Sequence, residues 1–190
     1  MPELTVDLVE RFYAILAMAA IVGMVVVAGL RVLAIRSDPA LDGYAALARL
    51  IQPRAVLAGW IVAVLATAGS LYFSEVAGFA PCTLCWYQRI AMYPFVVLLG
   101  VAALRRDDRA PRGASTLAAV GALIAAYHVG LEWIPSLDTG ACSAAVPCTY
   151  VWFRVFGVFS LPTLALTAFL LILTLTLVRD PDEPERWSDR

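Results

Sequence analysis

Residues 155–178 read VFGVFSLPTLALTAFLLILTLTLV, without one Asp, Glu, Lys or Arg. A helix crossing about 30 Å of hydrocarbon at about 1.5 Å per residue needs roughly 20 such residues, and this run is long enough. Pro162, near the start of the run, is expected to start the span or kink it, because proline lacks the N–H that a helix interior uses. Similar uncharged runs fill 12–30, 55–74 and 113–131. A fifth, 90–104, is short alone. It reaches full length only if its helix begins near Pro81 and carries Arg89 in its first turns. Lipid offers backbone amides no partner, so all five runs are expected to be helices.

The rest of the sequence agrees. Of 190 residues, 62% are hydrophobic and only 15% charged, and mean hydropathy is +0.81. A soluble domain of this size cannot bury so much apolar side chain. A net charge of −1 leaves no basic excess to meet phosphates, which excludes an electrostatic nucleic-acid binder. The fold class is therefore an all-α integral membrane protein. Five spans put Arg11, Arg89 and Arg154 on one side. Arg31, Arg36, Arg49, Arg54, Arg105, Arg106, Arg109, Arg112, Arg179, Arg186 and Arg190 fall on the other. The positive-inside rule makes the second side cytoplasmic, with the N-terminus outside and the C-terminus inside. Glu3, Asp7 and Glu10 against Arg11 are the wrong sign for a signal peptide, so the first run is expected to be retained. Stripes of small residues at Gly59, Ala63, Ala66 and Ser70, and at Ala118, Ala122 and Ala125, fit close helix packing. The tail 179–190 is expected to fray.

The four cysteines come as Cys82-Thr83-Leu84-Cys85 and as Cys142 and Cys148 with five residues between them. Both pairs fall on the Arg-poor side, outside the cytoplasm, where disulfides form and persist. Closing so short a ring stabilises by only about 2 kcal/mol, so exchange suits these pairs better than bracing. Cys82 and Cys85 fall at a helix N-terminus, whose unpaired amides favour a thiolate. Arg89 lies four residues beyond Cys85, on the same helix face about 6 Å along the axis. An arginine inside the membrane is costly and usually serves a task, against the alternative of snorkelling to the interface. His128, four residues before Glu132, falls at about the depth of Arg89 and is either a site residue or a packed one. Two polar side chains and a Cys-x-x-Cys pair are thus expected to converge on the outer leaflet, where a lipid-soluble redox carrier could dock. The competing metal reading is a tetrahedral zinc site made by all four cysteines, although the second spacing is long for it. Trp152, Phe153 and Phe156 either rest the second loop on the membrane near the first pair or form an ordinary aromatic belt.

Pro81-Cys82-Thr83-Leu84-Cys85-Trp86-Tyr87-Gln88-Arg89, then a span, then a second outward cysteine pair, resembles the bacterial disulfide bond formation protein B family (DsbB). The short second spacing looks most like its BdbC-type branch. The resemblance covers roughly residues 55–178 and implies a four-helix transmembrane redox bundle, here with one extra N-terminal transmembrane helix. Residues 1–54 then hold that helix and a cytoplasmic connection, and 179–190 form a cytoplasmic tail. The implied activity is a quinone-dependent protein-disulfide oxidoreductase in the bacterial cytoplasmic membrane. It would reoxidise a thioredoxin-like, DsbA-like thiol oxidase and pass two electrons to a quinone (menaquinone or ubiquinone). The resemblance further implies that Cys142 and Cys148 form the partner-facing disulfide, with Cys142 attacked first. Cys82 and Cys85 would receive the electrons, Cys85 as the thiolate against the quinone. Arg89, His128 and Gln88 would bind the quinone, and no metal is implied. The span 12–30 and the connection up to Arg54 have no counterpart in the four-span core.

Three other readings compete, one of which, export of reductant to outside thiols, is disfavoured because both cysteine pairs face outward and no cysteine faces the cytoplasm. A vitamin K epoxide reductase-type enzyme also joins a quinone to two cysteine pairs, but there the loop pair precedes the Cys-x-x-Cys. A non-enzymatic membrane scaffold with structural disulfides would lose stability, not turnover, on serine substitution.

Overall fold

A computed structural model describes residues 2–107, 113–143 and 145–178. The tail 179–190, and with it Arg179, Arg186 and Arg190, lies outside the described residues, as do Arg109 and Arg112. Each apolar run yields a helix. These are α1 (Pro2–Ala34), α3 (Ala55–Leu71), α4 (Thr83–Leu104), α5 (Ala114–Trp133) and α6 (Leu161–Leu177), with α2 (Asp38–Ile51) between the first two. Among the described residues, four helical stretches are long and apolar enough to cross a membrane, namely Leu4–Ala34, Asp38–Val76, Thr83–Leu104 and Ala114–Trp133. The apolar Leu161–Leu177 is shorter.

Two local features were not read from the sequence. The connection 31–54 contains the helix α2. Ser37 precedes α2, Pro39 sits in its first turn, and Tyr44, Ala45 and Ala48 make a buried face. That face packs on Val27, Leu30 and Ala34 of α1 and on Val178, so the last turn of α1 and the end of α6 share one end of the molecule. The second is in the run 155–178, which is helical only from Leu161. Val155 and Phe159 exchange backbone hydrogen bonds of 2.9 Å each way, and Phe156 and Gly157 both take positive φ at the tip. That conformation is closed to a right-handed helix. Pro162 therefore starts α6 rather than kinking it.

The core lies among α3, α4, α5 and α6, where Phe95, Leu99, Ala118, Ala125, Phe169 and Ile172 are almost wholly buried. Both small-residue stripes serve it. Gly59 meets Leu99, and a Cβ at Gly121 would run into the Phe169 ring. Ser70 differs from the rest of its stripe, because its hydroxyl and carbonyl hold a side chain of α4, described below. Helix α1 packs against α6 and the hairpin before it, through Ala14, Ala17, Phe159 and Leu164. Its other face, including Leu8, Phe12, Val22 and Val25, is exposed, as a lipid-facing helix requires.

Candidate redox site

Pro81 holds the chain extended into Cys82, which takes the N-cap position of α4 (φ −75°, ψ 176°). The Cys85 backbone N–H donates to Cys82 Sγ at 3.3 Å, so sulfur does what a serine oxygen does at an ordinary N-cap. The helix thus begins at Thr83, with Pro81 just before it. Cys82 and Cys85 are free thiols, their sulfurs 3.0 Å apart. The hydrogen bond with the Cys85 thiol, opposed by burial and helped by His128, holds the Cys82 thiol well below its usual range.

Cys142 and Cys148 are joined in a disulfide. Cys148 is fully buried, whereas Cys142 is only partly so. Cys82, Leu84, Leu131 and Cys148 form one buried cluster, with Cys85 and Cys142 packed against it. The two pairs, far apart in sequence, therefore meet. With its loop sulfurs bonded to each other, the four-cysteine zinc arrangement is not formed. Among the described residues, the thiols of Cys82 and Cys85 and a ring nitrogen of His128 lie within 4.8 Å of one another.

His128 joins the pairs. Its Nε2 lies 3.1 Å from the Cys148 carbonyl oxygen and 3.7 Å from Cys82 Sγ, and its Nδ1 lies 3.0 Å from Gln88 Nε2. A carbonyl only accepts and an amide nitrogen only donates, so one tautomer satisfies both: Nδ1 accepts from Gln88, and Nε2–H points at Cys148 and Cys82. Both side chains are buried, His128 at 3% exposure and Gln88 at 7%.

Arg89 turns to the other side of α4. Its Nε donates to Ser70 Oγ and its Nη2 to the Ser70 carbonyl, each at 3.0 Å. Its guanidinium also lies 5.1 Å from the Trp86 ring centroid. It does not snorkel. Instead it lines, with Cys85, Gln88, Ser70 and Tyr93, a cavity of about 260 Å³ whose other walls are largely apolar. Cys85 and Arg89 thus share a face, as the four-residue spacing requires, while His128 contacts the opposite flank through Cys82 and Gln88.

The cavity suits a quinone on chemical grounds. Its apolar walls match a ring and its hydrocarbon tail. A sulfur and a cation stand at one end, and the remaining guanidinium nitrogen, Nη1, has no hydrogen-bond partner among the described residues. Over the mouth, Phe79 stacks on Trp152 with centroids 4.8 Å apart, and Phe73 packs on both Phe79 and Phe153. Trp152 and Phe153 therefore lie beside the first cysteine pair, while Phe156 is exposed at the hairpin tip.

Three contributors carried no signal in the sequence. Ser70 was legible only as a small residue, and Tyr13 not at all. Glu132 marked a position, yet its carboxylate is buried. It accepts from Ser160 Oγ at 2.5 Å and faces Arg154 at 3.8 Å, which ties the segment after Cys148 to the end of α5.

The family profile described as disulfide bond formation protein DsbB matches residues 52–179, within a few residues of the bounds read from the motif. The chain is 41% identical over 128 residues to the "Probable disulfide formation protein C 1" of Bacillus cereus, covering 67% of this chain and 92% of that protein. It is 44% identical over 117 residues to the "Disulfide bond formation protein C" of Bacillus subtilis, covering 61% and 85%. Against the "Probable disulfide formation protein" of Oceanobacillus iheyensis it is 42% identical over 121 residues, covering 63% and 83%. No solved structure matches it.

Proposed function

The chain belongs to the DsbB family of disulfide bond formation proteins, with relatives of the BdbC type, and from that premise we propose that it is a thiol:quinone oxidoreductase of the bacterial cytoplasmic membrane. It reoxidises a thioredoxin-like, DsbA-like partner outside the cytoplasm and passes two electrons to menaquinone or ubiquinone. The observation that carries the proposal is His128, which reaches both Cys82 Sγ and the Cys148 carbonyl, while Cys85 opens on the apolar cavity beside Arg89.

The partner's thiolate attacks Cys142, the more accessible sulfur of the loop disulfide, and Cys148 leaves as a thiolate. The partner's second thiol then displaces Cys142, and the partner departs oxidised. Both loop sulfurs are now reduced. Cys148 lies in the same buried cluster as Cys82, so its thiolate attacks an oxidised Cys82–Cys85 pair at Cys82 and Cys85 leaves. Cys142 then attacks Cys148, which restores the loop disulfide and leaves two thiols at Cys82 and Cys85. A bound quinone supplies the sink, taking up two electrons and two protons. The hydrogen bonds that Cys82 accepts favour its thiolate, which makes it the better leaving group when Cys142 attacks Cys148. Arg89, held by Ser70, sets a fixed positive charge beside Cys85 and the cavity. His128 keeps the loop carbonyl in place while the sulfurs exchange.

Both cysteine pairs face outward in this proposal, because Arg89 and Arg154 are at their end while Arg31, Arg36, Arg49, Arg54, Arg105 and Arg106 are at the other. Residues 55–178 make the redox domain. The relay order is tested with Cys142→Ser in purified protein. Oxidation of a reduced thioredoxin-like partner should stop, while a small dithiol that reaches Cys82 and Cys85 directly still reduces quinone. Partner turnover retained by Cys142→Ser would reject the order. Arg89→Ala should raise the apparent KM for quinone, and an unchanged quinone dependence would remove Arg89 from that role.

A further inference from the structure

The family match covers residues 52–179, and α1 ends before it begins. Helix α1 is thus an addition to the family's core. It is not merely an anchor, because one of its faces enters the cavity that holds Cys85 and Arg89. Tyr13, Leu16, Ala17 and Ala20 line that cavity, and their spacing of i, i+3, i+4 and i+7 is a single helical stripe.

The stripe is fixed on both flanks. On one, Tyr13 Oη donates to the Leu65 carbonyl at 2.9 Å. Its ring lies over Gly69, where a Cβ would come within 2.6 Å of it, so only glycine lets α1 approach α3 this closely. On the other flank, Ala14 and Ala17 are buried against Phe159 and Leu164. Tyr13 also meets Phe73, with ring centroids 6.0 Å apart, the same phenylalanine that packs beneath Phe79 near Pro81. Between these clamps the wall is built from one leucine and two alanines, which leaves a channel along the helix.

We propose that α1 forms the lateral wall of the quinone site, with Tyr13 at the redox end and Leu16, Ala17 and Ala20 against the quinone's hydrocarbon tail. Without it, the flank between α3 and α6 would open directly to lipid. With it, the tail is held by protein, and α1 positions a ligand whose chemistry is done at Cys85. This inference rests on the quinone reading above.

The test uses the full-length protein in detergent with a short-tailed azido-quinone as photolabel, followed by peptide mapping. Label is expected both on the peptide containing Cys85 to Arg89 and on the one containing Tyr13 to Ala20. Ala17→Trp and Ala20→Trp should fill the channel, lower labelling of both peptides, and cut the quinone that copurifies by about tenfold. Reduction of the Cys142–Cys148 disulfide by a partner dithiol in a single turnover should be unchanged. Ala19→Trp, on the exposed face of α1, should bind quinone as the wild type does. Label confined to the Cys85 to Arg89 peptide, with both tryptophan variants binding normally, would overturn the role of α1 and leave the quinone reading intact. Absence of label from both peptides, with no quinone reduced by the wild type, would overturn both.

Discussion

Replacing His128 with phenylalanine keeps the buried volume but removes two hydrogen bonds at once. Gln88 Nε2 loses its acceptor and the Cys148 carbonyl loses its donor. A buried polar group without a partner costs about 1–3 kcal/mol. Gln88 is held within the helix α4 and cannot lift away as a loop can. The Cys148 carbonyl regains water if its loop lifts, because Pro147 and Tyr150 beside it are exposed. The lowest-cost response is therefore to undock the loop, and the change in its docking free energy should be about 2–3 kcal/mol, or roughly 30- to 150-fold in the opening equilibrium. Amide hydrogen exchange on the turn around Cys148, where the Tyr150 N–H donates to the Pro147 carbonyl, reads that equilibrium, because the amides of this turn open when the loop lifts. Their protection should fall by that factor, while exchange in α3 and the middle of α5 stays as it was. Gln88→Leu strands only His128 Nδ1 and leaves the loop carbonyl its donor, so its effect on the loop should be several-fold smaller. Unchanged loop protection in His128→Phe, or an equal loss throughout the bundle, would refute His128 as the group that docks the loop.

The ultraviolet absorbance of the Cys82 thiolate should persist as the pH falls, with a midpoint well below that of a free thiol. Because the pKa is lowered, the charged form and its hydrogen bonds are present above that midpoint and lost below it. A midpoint at the free-thiol value of about 8.5 would contradict the N-cap role of Cys82. Gly121→Ala should destabilise the bundle by about 1–3 kcal/mol, since the added carbon forces the Phe169 ring aside. Gly23→Ala, where the new carbon meets nothing within 4 Å, should not destabilise it. Denaturation midpoints that failed to separate these two variants would count against the α5–α6 packing. Arg154→Met should cost about 1–2 kcal/mol, because it strips the nearly buried Glu132 carboxylate of its cation while Ser160 still donates. That value is well under a fully buried pair, since Arg154 is 27% exposed. No change in the thermal midpoint would show the pair to be solvated.

Much of this was legible because a bilayer imposes so few solutions. Long uncharged runs become helices whatever their detailed sequence, and each of the five runs yields one, the last only from Leu161. The limits appear where charge is silent. Residues 155–160 are as apolar as the helix they precede, and nothing in their hydropathy marks the positive φ of Phe156 and Gly157. Helix α2 did leave a signal, in the apolar spacing of Tyr44, Ala45, Ala48 and Ile51 after Ser37 and Pro39. Its charges drew the eye to topology instead. Cys85 and Arg89 belong to one helix, so their four-residue spacing was enough to put them on one cavity. The contacts of His128 with Cys82 and Cys148, of Ser70 with Arg89, and of Tyr13 with Leu65 join different helices, and no spacing within one element encodes them.

The most direct test of electron transfer from the cysteines to a quinone is anaerobic. Purified protein in detergent is mixed with a reduced thioredoxin-like oxidase and a soluble quinone, and quinone absorbance is followed. One quinone should be reduced for each partner disulfide formed, with the signal abolished by Cys85→Ser. If no quinone is reduced while the protein holds four titratable thiols or a bound metal, the cysteines serve a structural or metal-binding purpose and the redox relay is wrong.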